Sequence, residues 1–233
     1  MSSLYQATLD ALLLLVTGNA ELWSIIRVSF STTLKAILVA IPLAFLVSFV
    51  LSNSRFRGRW LVLSMFNTLL GVPTVVIGLL LYLLLSRSGP LGDWRLLFTE
   101  PAMVIGQILI AFPLLVAMAL AAFEGADRRA WETTKTLGAR PIRAMLTLMY
   151  EVRFGLIAAT AAAYGRIISE VGCSMMVGGN ILNYTRSIPT AIALETSKGE
   201  FAQGIALGIV LLLLALGLNF TVSLMQRKRE QQS

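Results

Sequence analysis

Residues 101–123 read PAMVIGQILIAFPLLVAMALAAF, and residues 124–153 continue EGADRRAWETTKTLGARPIRAMLTLMYEVR. The first stretch holds no charged side chain, and the second holds ten. A backbone in lipid must satisfy its own hydrogen bonds, and about 20 apolar helical residues cross the hydrocarbon core. Residues 101–123 meet that requirement and the next thirty do not. The chain therefore crosses a membrane and then emerges into a charged segment.

Working outward, Leu61–Leu85 and Phe201–Met225 are also free of charge. Val28–Leu51 passes with one interruption at Lys35, and Phe154–Gly178 carries Arg166 and Glu170 in an Ala- and Gly-rich run. The expectation is an all-α integral membrane domain with five spans, near 28–51, 61–85, 101–123, 154–178 and 201–225. The run Leu4–Val16 is too short to cross and has no basic leader, since Arg27 is the first basic residue. It reads as an interfacial helix with Asp10 toward water, the other reading being a sixth, tilted span.

Composition agrees with the spans. Of 233 residues, 57% are apolar and 13% charged, where soluble domains hold about 45–50% and about 25%. There is no His, and Cys173 is the single cysteine, which excludes a Ser-His-Asp triad, a disulfide framework and a Cys/His metal site. No GxxxxGK[ST] or GxGxxG run is present to bind nucleotide. A net charge of +7 reports topology in such a chain rather than nucleic-acid binding. No convergent acid–base constellation points to an enzyme.

Twelve of the 19 basic residues fall on one side of the five spans: Arg55, Arg57 and Arg59, then six between 128 and 153, then Arg227–Arg229. Five, Arg27, Arg87, Arg95, Arg186 and Lys198, fall on the other. The positive-inside rule makes the richer side cytoplasmic, with the N-terminus outside and the C-terminus inside. An odd number of spans requires the same arrangement.

Four features depart from a plain bundle. In the cytoplasmic loop 124–153, Ala130–Leu137 lacks Gly and Pro, Gly138 reads as a stop and Pro141 starts a second element. This helical hairpin is either a solvated surface or a docking element for a soluble partner. In span four, Ala158, Ala162, Gly165, Ser169 and Cys173 form a small-residue face suited to close helix packing. Arg166 and Glu170 stand four apart and can pair; an isolated charge at mid-membrane costs about 2.5–3.5 kcal/mol on insertion scales. The pair, with Ser169, is either an internal lock or a polar stretch of a translocation path. The outside segment Ile181–Glu200, with a short helix possible at Thr190–Ser197, reads as a docking surface or a connector. Pro42, Pro73 and Pro113 lie within spans, where a missing N–H permits kinks; Pro73 and Pro113 are the candidate hinges, packing kinks being the alternative.

Glu132-Thr133-Thr134, three residues and Gly138 resemble the EAA-x-x-x-G signature of ABC importer permeases, with both Ala positions occupied by Thr and with Tyr150-Glu151 where the family's Leu-Pro ending stands. Ile168-Ser169-Glu170-Val171-Gly172, the run Met175–Asn180 and the run Thr190–Gly199 are similar to the tungstate-specific branch of that family, and the likeness extends over nearly the whole chain. The resemblance implies a type I importer fold, two copies of the chain around a central path, two ATPase subunits below and an extracytoplasmic oxyanion-binding protein above. It implies a coupling helix at Glu132, Thr133, Thr134, Gly138 and Ala139, seated on an ATPase subunit. ATP and Mg would be held by that subunit and no cofactor by this chain. It implies a multi-pass protein of a prokaryotic inner membrane, importing tungstate, with molybdate or sulfate as alternative oxyanions. A secondary transporter or channel is the rival class, and Arg166, Glu170 and Lys35 are few intramembrane charges for one.

Overall fold

The computed structural model describes residues 16–54, 56–126 and 141–230, together with Leu9 and Leu13, side chains being excluded at 141, 219 and 221–230. The helix expected at Leu4–Val16 falls mostly outside the described residues, as do Glu132, Thr133, Thr134, Gly138 and Ala139. The described elements are all helical: α1 Ala20–Asn53, α2 Arg59–Leu70, α3 Thr74–Leu85, α4 Glu100–Glu124, α5 Pro141–Glu151, α6 Arg153–Ile168, α7 Gly172–Gly178, α8 Ile188–Lys198 and α9 Phe201–Glu230. A 3₁₀ turn at Gly92–Trp94 lies between α3 and α4.

Three helices, α1, α4 and α9, are long and apolar enough to cross a membrane alone, and two bent pairs raise the number to five. The α2–α3 pair bends by 98° and the α5–α6 pair by 79°. Helix α6, at 16 residues, is short of the roughly 20 needed, so it crosses only together with a neighbour.

Helix α1 starts earlier than the apolar count suggests. Asn19 caps it, its side-chain oxygen accepting from the Glu21 and Leu22 amides at 2.9 and 3.2 Å. The added turns hold the charges that end an apolar window, and Arg186 reaches Glu21 at 3.4 Å. At 34 residues and about 1.5 Å per residue, α1 is about 51 Å long, longer than the hydrocarbon core.

Helices α1 and α4 form the centre of the bundle and run parallel: Lys35 meets Glu100, and Ser48 meets Val116. Their contact is built on small side chains. Ala36, Ala40, Ala44 and Ser48, one per turn of α1, are fully buried, as are Ala111, Leu115 and Ala119 of α4, which lets the two backbones approach. Ser48 Oγ lies 2.7 Å from the Ala44 carbonyl and 3.1 Å from that of Val116 on α4, so its one proton serves both helices. Lys35, which interrupts the apolar run of α1, pairs with Glu100 Oε1 at 2.7 Å. At the other end of α4, Glu124 pairs with Arg59 at the start of α2. A second, smaller cluster joins Leu22, Ile25 and Ile26 of α1 to Ile188 and Ala191 of α8 and Ala206 and Leu207 of α9.

The expected span 154–178 is not one helix. Helix α6 stops at Ile168, the chain turns at Ser169–Val171, and α7 resumes at Gly172. The cause is a side chain: Glu170 Oε1 accepts from the Cys173 amide at 3.0 Å and caps the new helix. The small-residue face of this span is likewise split. Cys173 is buried, whereas Ala162 and Ser169 are exposed and a Cβ added at Gly165 would meet nothing within 4 Å. Leu156, Ala159, Ala163, Ile167 and Ile168 are the residues that α6 buries.

Candidate functional site: two broken helices and an Arg–Glu pair

The two breaks meet. Gly71 and Val72 close the end of α2 through bonds from their amides to Thr68 and Leu69. Pro73 cannot donate and disfavours helix in the residue before it, so α3 starts anew at Thr74 with Val76 N donating to the Pro73 carbonyl at 2.9 Å. Val75 then lies against the second break: a Cβ on Gly172 would come within 2.5 Å of Val75 Cγ2. One turn further, a Cβ on Gly78 would come within 2.8 Å of the Cys173 Cα. Only glycine lets α3 and α7 lie this close. Pro113, by contrast, lies inside α4, which continues through it.

At the second break the predicted pair is formed, Arg166 Nη1 donating to Glu170 Oε2 at 3.1 Å. The Glu170 side chain is 3% exposed and that of Arg166 is 47% exposed. Both carboxylate oxygens of Glu170 are thus engaged, one by the guanidinium and one by the α7 amide. Ser169 Oγ donates back toward the carbonyls of Gly165 and Arg166. Sequence reasoning missed Gln107 of α4, whose Nε2 donates to the Ile167 carbonyl at 3.4 Å. Its Oε1 is buried and unpartnered among the described residues. As the one amide side chain of the charge-free run 101–123, it carried a signal that was there to be read.

A cavity of about 170 Å³ opens where these groups converge, lined by Leu69, Leu70, Val72 and Thr74 of the first break, Ile110 and Leu114 of α4, and Arg166. The guanidinium has five N–H donors, of which one is committed to Glu170. Because Glu170 neutralises it, this junction offers a passing anion hydrogen-bond donors rather than net charge. Among the described residues, no second charged side chain lines this cavity.

No protein-family model matches the chain. It is 40% identical over 218 residues to the tungstate uptake system permease protein TupB of Campylobacter jejuni, covering 94% of this chain and 91% of that protein. The chain belongs to the ABC importer permeases of the tungstate/molybdate type. The permease is also 40% identical, over 84% of its length and 87% of the relative's, to a probable anion ABC transporter permease protein of Haloferax volcanii. To the TupB protein of Peptoclostridium acidaminophilum it is 34% identical, over 94% and 96% of the two chains. Its fold is similar to that of a chain in a structure of the MetNI methionine ABC transporter, with a TM-score of 0.66 at 14% identity over 90% of the permease and 94% of that chain. Relatives bearing the permease name are transport components, and the permease is one of them rather than an enzyme.

Proposed function

We propose that two copies of the permease form the path of an ATP-driven tungstate importer, supplied by an extracytoplasmic binding protein and driven by two separate ATPase subunits. The observation that carries the substrate is the 40% identity to a tungstate uptake permease across nearly the full length of both chains. The pairing is supported by the open face of α6, where Ala162, Gly165 and Ser169 are left uncovered beside Arg166. Small residues there allow a second copy to approach closely. The charge bias supports an N-terminus outside and a C-terminus inside, and the family relation supports a prokaryotic inner membrane.

The coupling loop 124–153 joins α4 to α6, so a displacement below reaches the Arg166–Glu170 break along a single helix of 16 residues. Glu132 would pair with a basic group on the ATPase subunit, Thr133 and Thr134 would permit close approach, and Gly138 with Ala139 would form the turn. ATP-driven closure of the ATPase subunits, which hold the ATP and Mg, would bring the two coupling helices together and open the path outward. Arg166, Ser169 and Glu170 would line that path, and the α6–α7 break would move against the α2–α3 break at Pro73. With a neutral pair at the junction, selection between oxyanions falls mostly to the binding protein.

Uptake by vesicles carrying the permease, its ATPase and its binding protein, with and without ATP, tests this reading. ATP-dependent uptake of tungstate in preference to molybdate and sulfate is expected. Equal uptake of tungstate and molybdate would leave an oxyanion importer without the tungstate assignment, and uptake independent of ATP would overturn the transport class. The coupling assignment has its own test: Gly138→Trp should insert normally and fail to stimulate ATP hydrolysis, and normal stimulation would place the ATPase contact elsewhere.

A further inference from the structure

The segment between α3 and α4 lies at the Glu100 end of α4. The Arg59–Glu124 pair marks the other end, about 37 Å away along a 25-residue helix. This segment is folded rather than slack. Leu91 N donates to the Leu84 carbonyl at 3.0 Å, Gly92 N to Gly89 at 3.1 Å and Arg95 N to Gly92 at 3.1 Å. Two non-glycine residues, Arg95 and Phe98, hold left-handed backbone at φ 50° and 64°, a conformation that persists only where the surroundings enforce it. The segment is fastened to the second break as well. Phe98 N donates to the Val177 carbonyl of α7 at 2.8 Å, and the Phe98 ring packs on Tyr82.

Within this segment is a cavity of about 920 Å³, lined among others by Tyr82, Arg87, Asp93, Arg95 and Phe98. Lys35, Arg59, Arg166, Arg186 and Lys198 are each paired with a carboxylate. Arg87 and Arg95 form no ion pair with any described residue and are exposed, as is Asp93 beside them. Trp94, on the same turn, is 65% exposed. Sites of about 300–1,000 Å³ enclose drug-sized molecules, so this cavity is far too roomy to grip one tetrahedral anion. A single phosphate would also leave Asp93 uncompensated. A protein loop can fill the volume, bring carboxylates to the arginines and offer a donor to Asp93. Exposed Arg and Trp side by side are the residues that most often dominate protein interfaces.

We propose that this cavity is a docking surface for an acidic loop of the extracytoplasmic binding protein, anchored by Arg87 and Arg95. The proposal rests on the importer reading above, which puts this end of the bundle outside. Docking here bears directly on Phe98 and, through Val177, on α7 and its Glu170 cap.

The test uses vesicles containing the permease and its ATPase, titrated with the tungstate-loaded binding protein of the same system. In R87Q/R95Q the concentration giving half-maximal ATPase stimulation should rise about tenfold, with its salt dependence flattened. ATP hydrolysis without binding protein should be unchanged, which shows that the variant is folded; Trp94→Ala, which removes no charge, should raise the same concentration without altering the salt dependence. An unchanged half-maximal concentration in R87Q/R95Q would overturn the proposal. So would a rise that disappears in vesicles without anionic lipid, which would assign the arginines to a headgroup, or a loss confined to binding of free tungstate. Wild-type vesicles that take up no tungstate at all would sink the importer reading instead, a result distinct from all of these.

Discussion

The permease breaks two of its helices at the same place and by different means. Between α2 and α3 the break is written into the backbone, since Pro73 has no N–H and Gly71 precedes it. Between α6 and α7 it is held by one carboxylate, which caps the Cys173 amide with one oxygen and holds Arg166 with the other. The first break combines the missing Pro73 N–H with the seating of Val75 on Gly172, and no ion pair holds it. The second depends on an ion pair with one member buried and the other half exposed, so a change in what surrounds Arg166 can alter it. Of the two, the α6–α7 break is the one a transport cycle can work.

The sharpest way to break this contrast is Glu170→Ala. It removes both hydrogen bonds that the carboxylate accepts, from the Cys173 amide and from Arg166, together worth about 3 kcal/mol, and leaves the half-exposed Arg166 to water. A marked fall in thermal stability in detergent, with uptake lost, is expected; unchanged stability would mean that the carboxylate does not hold the break. Next in size is Gly78→Ala, whose new methyl meets the Cys173 backbone at 2.8 Å. Backbone cannot swing aside as a side-chain tip can, so about 2 kcal/mol of overpacking is expected, measurable as a lower Tm. A null result would show that α3 and α7 can separate freely.

Glu170→Gln separates cap from charge. The amide oxygen can still accept from Cys173, but the NH2 that replaces Oε2 cannot accept from Arg166, so that bond is lost whole, for about 1.5 kcal/mol with Arg166 half exposed. Uptake much more impaired than stability would assign the charge to the path, and proportionate losses would assign it to packing. The smallest effect belongs to Pro73→Ala, about 0.5 kcal/mol through the greater freedom of the unfolded chain, because Gly71 and the packing of Val75 on Gly172 remain. Uptake should barely change. A large loss at normal stability would make the proline itself the moving part.

The same contrast explains what could be read from the sequence. Charge-free runs announce α4 and α9, because lipid demands them, and Pro73 announces a possible kink. Arg166 and Glu170, four apart, announce their pairing. The stop of α6 had no such announcement: Ile167-Ile168-Ser169-Glu170-Val171 contains neither Gly nor Pro, and the break arises from a side chain folding back on a later amide. The α1 stripe Ala36–Ala40–Ala44–Ser48 was as regular as the one noted on span four. Which small-residue face packs within the chain is decided by the neighbouring helix, and spacing alone does not name that neighbour. The start of α8 at Ile188 rather than Thr190 follows from a reciprocal cap between Ser187 and Thr190, and the extra turns of α1 follow from the Asn19 cap and from Arg186 far along the chain.

The side chain of Cys173 is closed in on α4. The residue is 2% exposed, and a Cβ on Gly106 would come within 2.6 Å of its sulfur, so labelling reagents should have little access to it. As the single cysteine of the chain, it leaves the native sequence as a low-background host for site-directed thiol chemistry. One new cysteine placed at each break, such as at Leu70 and Val171, would report the separation of the two breaks by spin or fluorescence labels without first stripping the protein of its own thiol.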